Sequence, residues 1–183
     1  RDRIDQVVHL GLAGPAIKRL VTDHGVLLIV NEGEGTGADR NLVELFGRAC
    51  GEFDRRVAMV QPDQWGHFTP CSEWDVRALV NHVTVEDLWV PPLLEGSTIE
   101  QVGDRLDGDQ LGDEPQAAWR RAFTAATEAA ASLESVDTAV HVSRGDIPAG
   151  DYLMEVAADN LVHSWDLGIA VGADTELDPE LVE

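Results

Sequence analysis

The sequence predicts an all-α fold, a bundle of four amphipathic helices with a short β-hairpin between the third and the fourth. Three observations lead there. Apolar residues recur at three- and four-residue spacing in four separate stretches. Capping residues, prolines or glycines bracket those stretches. Four helices of this length, joined by connections of unequal length, suit a bundle better than a sheet-based layout.

Residues 1–40 read as an N-terminal extension or linker, and 41–183 as the bundle domain. The apolar run at 26–30 has the character of a strand, and the glycines and glutamates at 32–37 that of a flexible linker. Those glycines do not make a phosphate loop, because no Gly-Lys-Ser/Thr follows and Glu32 and Glu34 stand where a phosphate would sit. The first helix is expected from Asn41, with Glu44 completing a capping box, to a stop at Pro62. Its stripe is Leu42, Phe46, Ala49, Cys50, Phe53, Val57 and Val60. The second is expected from an N-cap at Ser72, with Glu73 and Asp75 in its first turn, to about Trp89, before Pro91 and Pro92.

The stretch 96–114 reads as a solvated loop, since Asp104, Asp107, Asp109 and Asp113 lack the order of an EF-hand. Pro115 opens the third helix, with Trp119, Ala122, Phe123, Ala126, Ala130 and Leu133 on one face. Residues 138–142 look extended, enough for one strand of a hairpin. Gly150 and Asp151 precede the fourth helix, which ends near Gly172. An apparent new start at Asp178 and Pro179, close to the last residue, suggests a truncated domain.

Composition narrows function. At 183 residues and 44% apolar content the chain can bury one substantial core. Thirteen basic against 34 acidic residues give a net charge of -21, which repels phosphate backbones and anionic lipid. The pairs Arg55, Arg56 and Arg120, Arg121 are no nucleic-acid footprint. No apolar stretch approaches a membrane helix and no signal-peptide core follows Arg1, so a cytoplasmic protein is expected. Cys50 and Cys71 form no C-x-x-C pattern and are expected as free thiols. Oligomeric state stays open.

The chemistry concentrates on two helices. Asp159 and His163 stand four residues apart, on one face of the fourth helix. His82 lies among apolar neighbours on the second, where a polar ring needs a partner. Bundles build metal sites from such inward side chains on facing helices. Spacing alone leaves two readings open: a site of His82, Asp159 and His163, or a hydrogen-bonded core histidine beside an intrahelical pair. A zincin is a poorer reading, because the glutamate of H-E-x-x-H is missing.

Two motifs add to this. The run from Trp65 to Thr84, with Thr69, Pro70, Cys71, Ser72, Glu73, Trp74, Asp75 and then Asn81, His82, resembles the N-terminal domain of mycothiol-dependent maleylpyruvate isomerases. Asp159, His163, Trp165, Asp166 and Leu167 are similar to the second signature of the same DinB-like superfamily. The resemblance runs from about Asn41 to Glu183. It implies a DinB-like four-helix bundle holding a divalent ion, zinc above all, on His82, Asp159 and His163, with mycothiol as a cosubstrate. The isomerases carry glutamate where Asp159 stands, and their C-terminal domain has no counterpart in this sequence.

Two neutral imidazoles and one carboxylate leave an open position on a divalent ion, as in catalytic zinc sites; ferrous iron suits the same set. The expected function is a metal-dependent, mycothiol-type thiol S-transferase or isomerase acting on a small electrophile. The alternative is a non-catalytic bundle that binds metal or a ligand for sensing. Around the three, Asp166 and Asn81 are candidates to orient a ligand ring. Glu86 reads as a solvated surface acid before a fourth ligand or general base, and Cys71 as a packing residue before a reactive thiol. The five tryptophans read as core before pocket. His9, His24, His67 and His141 have no partners at ligand spacing.

Overall fold

The computed structural model describes residues 17–21, 27–31 and 36–182, with side chains from residue 40 onward. Ahead of the helices, β1 (Ile17–Val21) and β2 (Leu27–Asn31) pair antiparallel. The strand expected at 26–30 is thus present as β2, while residues 32–35, read as linker, lie outside the described residues.

Four long helices follow: α1 (Thr36–Val57), α2 (Val76–Leu94), α4 (Pro115–Ala131) and α5 (Ala149–Val171), with short α3 (Ile99–Val102) and α6 (Pro179–Val182) between and after them. A hairpin of β3 (Ala139–Val142) and β4 (Gly145–Pro148) separates α4 from α5, where it was expected. Gly145, at φ 119°, turns the hairpin in a region that other residues avoid. α1 packs against α4 and α5, and so does α2. Phe46, Cys50, Leu153 and Leu161 lie in one part of the interior, and Phe53, Leu79, Val83, Trp119 and Leu167 in another. Each such side chain contributes ~1.5 to 3 kcal/mol on burial. Among the described residues no helix is long and apolar enough to cross a membrane.

The helix ends depart from the sequence expectations for local reasons. α1 starts at Thr36, so Asn41 and Glu44 are interior residues and not a capping box. Its last turn tightens through Met59 N–H to Arg56 O and Val60 N–H to Val57 O, short of Pro62. Asp75, not Ser72, caps α2, accepting from Ala78 N–H at 2.8 Å. The chain before it folds back, so that Val76 N–H reaches His67 O and Arg77 N–H reaches Trp65 O. Those tertiary partners serve the orphan donors of the first turn.

α2 also runs through Pro91 and Pro92 instead of stopping at Trp89. The two prolines remove donors only in the final turn, whose carbonyls are taken up by Glu95 and Gly96, while buried Leu93 anchors it to the core. The loop at 96–114 contains α3, set by a Thr98–Gln101 capping box that the sequence reading passed over. Ala149, Gly150 and Asp151 open α5 from within its first turn, and Gly172, at φ 71°, closes it. A Cβ on Gly150 would come within 3.1 Å of Leu42 Cδ1, so glycine permits the close approach of α1 and α5.

Candidate metal centre

α2 and α5 face each other along a seam, and the three expected donors meet in it. His82 Nε2 lies 3.2 Å from Asp159 Oδ2, and His163 Nε2 lies 3.4 Å from Asp159 Oδ1. One donor atom from each residue falls within 4.8 Å of the others. The imidazoles stand edge to face, centroids 5.2 Å apart at 89°. Their side chains and that of Asp159 keep only 10 to 13% exposure. Trp74, from the loop before α2, covers both rings at 4.6 Å and 5.6 Å.

His163 is held from behind. Asp166 Oδ2 lies 2.9 Å from His163 Nδ1 and also accepts from Cys71 Sγ at 3.3 Å. An N–H at Nδ1 directed to Asp166 leaves Nε2 facing Asp159, the orientation a metal ligand requires. Burial works against charge at His163, but the carboxylate of Asp159 and the bond to Asp166 prevail and raise it well above the usual histidine value. Burial likewise opposes ionisation of Asp159, and the charges of His163 and His82 outweigh it, holding the carboxyl far below the usual range.

The donor set suits a divalent ion. Ligand atoms at ~2.0 to 2.2 Å from a tetrahedral zinc stand ~3.3 to 3.6 Å apart, and the separations of 3.2 Å and 3.4 Å, one to each oxygen of Asp159, lie near that range. Asp159 Oδ2 is buried and accepts no hydrogen bond of good geometry, so it has a vacant lone pair where an ion would sit. The shorter aspartate reaches both rings without help from a longer side chain.

The seam corrects several assignments around the three. Glu86 is not a solvated acid: it is buried, and burial followed by the negative charge of Asp159 pushes it up to about 7. Asn81 orients no ring; it pins the loop before α4, donating to Gly108 O and accepting from Gln110 N–H. Asp166 is fully buried on His163, and Cys71 bonds to it instead of only packing. Trp74 belongs to the site, whereas Trp119 and Trp89 are core. His141 pairs with Asp146 across the hairpin at 2.7 Å but joins no donor group of three among the described residues, as expected. His9 and His24 lie outside the described residues. Asp87 and Asn160, buried opposite each other at 3.0 Å, were missed; a polar pair inside otherwise apolar helical runs was the available signal.

These features define a mostly helical protein with two imidazoles and a carboxylate gathered between two of its helices. The chain belongs to the mycothiol maleylpyruvate isomerase N-terminal domain family, whose profile matches residues 46–168. It is 32% identical over 138 residues to uncharacterized proteins from two strains of Mycobacterium tuberculosis, covering 73% of this chain and 69% of each relative. Its fold is similar to the crystal structures of the mycothiol-dependent maleylpyruvate isomerase and of a histidine-to-alanine mutant of it. Both give a TM-score of 0.59, at 15% and 14% identity, over 71% of this chain. The chain spans 60% of the length of those isomerase chains.

Proposed function

We propose that this protein is a metal-dependent, mycothiol-type thiol transferase or isomerase, built on a DinB-like four-helix bundle at 41–183 with 1–40 as an extension. His82, Asp159 and His163 would hold the ion, with zinc the best fit. The observation that carries the reading is that one ligand atom each from His82, Asp159 and His163 gathers within 4.8 Å of the others, beside a buried Asp159 Oδ2 that accepts no hydrogen bond. Membership in the isomerase N-terminal domain family points to mycothiol as the thiol.

A divalent ion at this place supplies a Lewis acid that lets a thiol ionise at neutral pH. The chain supplies the rest. Asp166 fixes the tautomer and direction of His163, and Trp74 covers both rings. Free thiols at Cys50 and Cys71 suit the reducing cytoplasm, where we place the protein.

Metal analysis of the purified protein, followed by assays with mycothiol and small electrophiles, tests this. We expect about one zinc per chain and thiol-dependent turnover that the His82→Ala variant loses by more than ~100-fold. Zinc without any turnover above that variant would leave the non-catalytic binding protein as the answer. Absence of stoichiometric metal would remove the metal-dependent enzyme and leave only a bundle that binds some other ligand.

A further inference from the structure

Asp87 on α2 is fully buried against Asn160 on α5. Asn160 Nδ2 has two hydrogens and two acceptors, Asp87 Oδ1 at 3.0 Å and Val156 O at 3.1 Å. Asp87 Oδ2 and Asn160 Oδ1, both buried and both acceptors, are left without a donor. A single proton on Asp87 Oδ2, directed at Asn160 Oδ1, would remove both deficits. A carboxylic acid and a carboxamide can close a ring in which N–H donates to one carboxyl oxygen and O–H donates to the amide oxygen.

The surroundings favour that proton. Asp159 of α5 is the charge that acts on Asp87, and Asp87 in turn raises Tyr152 of α5, Glu86 of α2 and Cys50 of α1; none of these groups is a cation. Burial first, and Asp159 after it, push Asp87 up to about 7 against the pull of the Asn160 bond. Ionised, Asp87 would face an uncompensated desolvation penalty.

We propose that Asp87 is a positioning residue that acts as a neutral acid, its protonated carboxyl and the Asn160 carboxamide forming a two-bond clasp that sets the register of α2 against α5. Asn160 directly follows Asp159, and Asp87 lies five residues beyond His82, so the clasp ties together the two backbones that bring the donors. A slip of one residue along either helix moves it ~1.5 Å and turns it ~100°, which takes His82 out of reach of Asp159. The functional consequence rests on the metal reading above; the clasp itself does not.

Infrared difference spectra, on the acid side of pH ~7, test the proton directly. The wild type should show a protonated-carboxyl band that Asp87→Asn lacks. A nuclear Overhauser contact between the rings of His82 and His163 reports convergence in the metal-free protein. Asp87→Asn, whose amide N–H can replace the acid proton, should keep that contact and bind zinc within about twofold of wild type. Asp87→Leu should lose the contact and bind zinc about 10- to 100-fold more weakly. A missing band overturns the proposal, as does Asp87→Asn proving as damaging as Asp87→Leu, or Asp87→Leu leaving contact and affinity unchanged. If Asp87→Leu does not fold, the band and the Asp87→Asn contact decide. Should wild type take up no zinc, the functional reading fails alone, and the band and ring contact still decide this one.

Discussion

Arg56 and the α2–α5 seam both bury charge, and they do so in opposite ways. Every guanidinium nitrogen of Arg56 has an acceptor: Nε on Asp174 O, Nη1 on Glu52 O and Oε2, and Nη2 on Glu176 O. In the seam, Asp87, Tyr152, Asp159, Asn160 and Asp166 each keep a buried side-chain oxygen with no donor. Every such atom among the described residues lies on α2 or α5. The satisfied ion is a strut, tying the segment after α5 back to α1. Unsatisfied oxygens carry a desolvation cost, and a stable protein tolerates them where a proton, an ion or a ligand completes the set. The contrast separates what holds the fold from what is equipped to bind.

Breaking the strut should have the largest effect on stability. Arg56→Met takes the guanidinium from the carbonyls of Asp174, Glu52 and Glu176 and leaves the Glu52 carboxylate with Arg55 alone at 2.7 Å, and removing one partner of a buried pair costs ~3 to 5 kcal/mol. Urea unfolding should place the variant near the lower figure, because Glu52 keeps 16% exposure. A loss below ~1 kcal/mol would mean that the region is no strut. The seam should behave differently. Asp166→Asn should leave the urea midpoint nearly unchanged yet weaken zinc binding by ~10- to 100-fold, the usual cost of losing a carboxylate behind a ligating histidine. Equal zinc affinity by chelator competition would show that Asp166 does not orient His163.

The contrast also marks what could be read from sequence. The stripes of α1 and α4 were legible because each helix buries one face. α2 and α5 pack on several neighbours, so burial extends around them, and a periodic pattern cannot say whether Glu86 faces water or the core. The i, i+4 pair Asp159 and His163 was readable as a local fact, and the facing of His82 was an inference from its apolar neighbours. Tertiary choices stayed hidden: Asp75 replaces Ser72 as cap because the chain at 65–67 returns to meet α2. The sequence marks Arg56 only as one of a basic pair, since its acceptors Asp174 and Glu176 lie more than a hundred residues away.

The smallest expected effect, per step, is also the most direct probe of the seam. In the metal-free protein His163 is raised well above its ordinary value, chiefly because the attraction of Asp159 overcomes burial. At neutral pH the ring therefore carries a proton on the nitrogen that an ion must use. Zinc uptake displaces it, so binding should release protons and affinity should climb as pH rises. For one displaced proton the slope is tenfold per pH unit, about 1.4 kcal/mol. It should persist until the pH passes the raised value of His163 and then flatten. The stability term has the opposite sign. A raised histidine favours the metal-free fold fully below its unfolded value near 6.5, and that contribution fades as pH climbs through the folded value. Zinc affinity should thus rise across the interval in which this support for the metal-free protein declines. Calorimetry in buffers of different ionisation enthalpy counts the released protons. A flat affinity from pH ~6 to 8, with no proton release, would show that His163 does not give up a proton to an ion, and the three-donor site would lose its electrostatic basis.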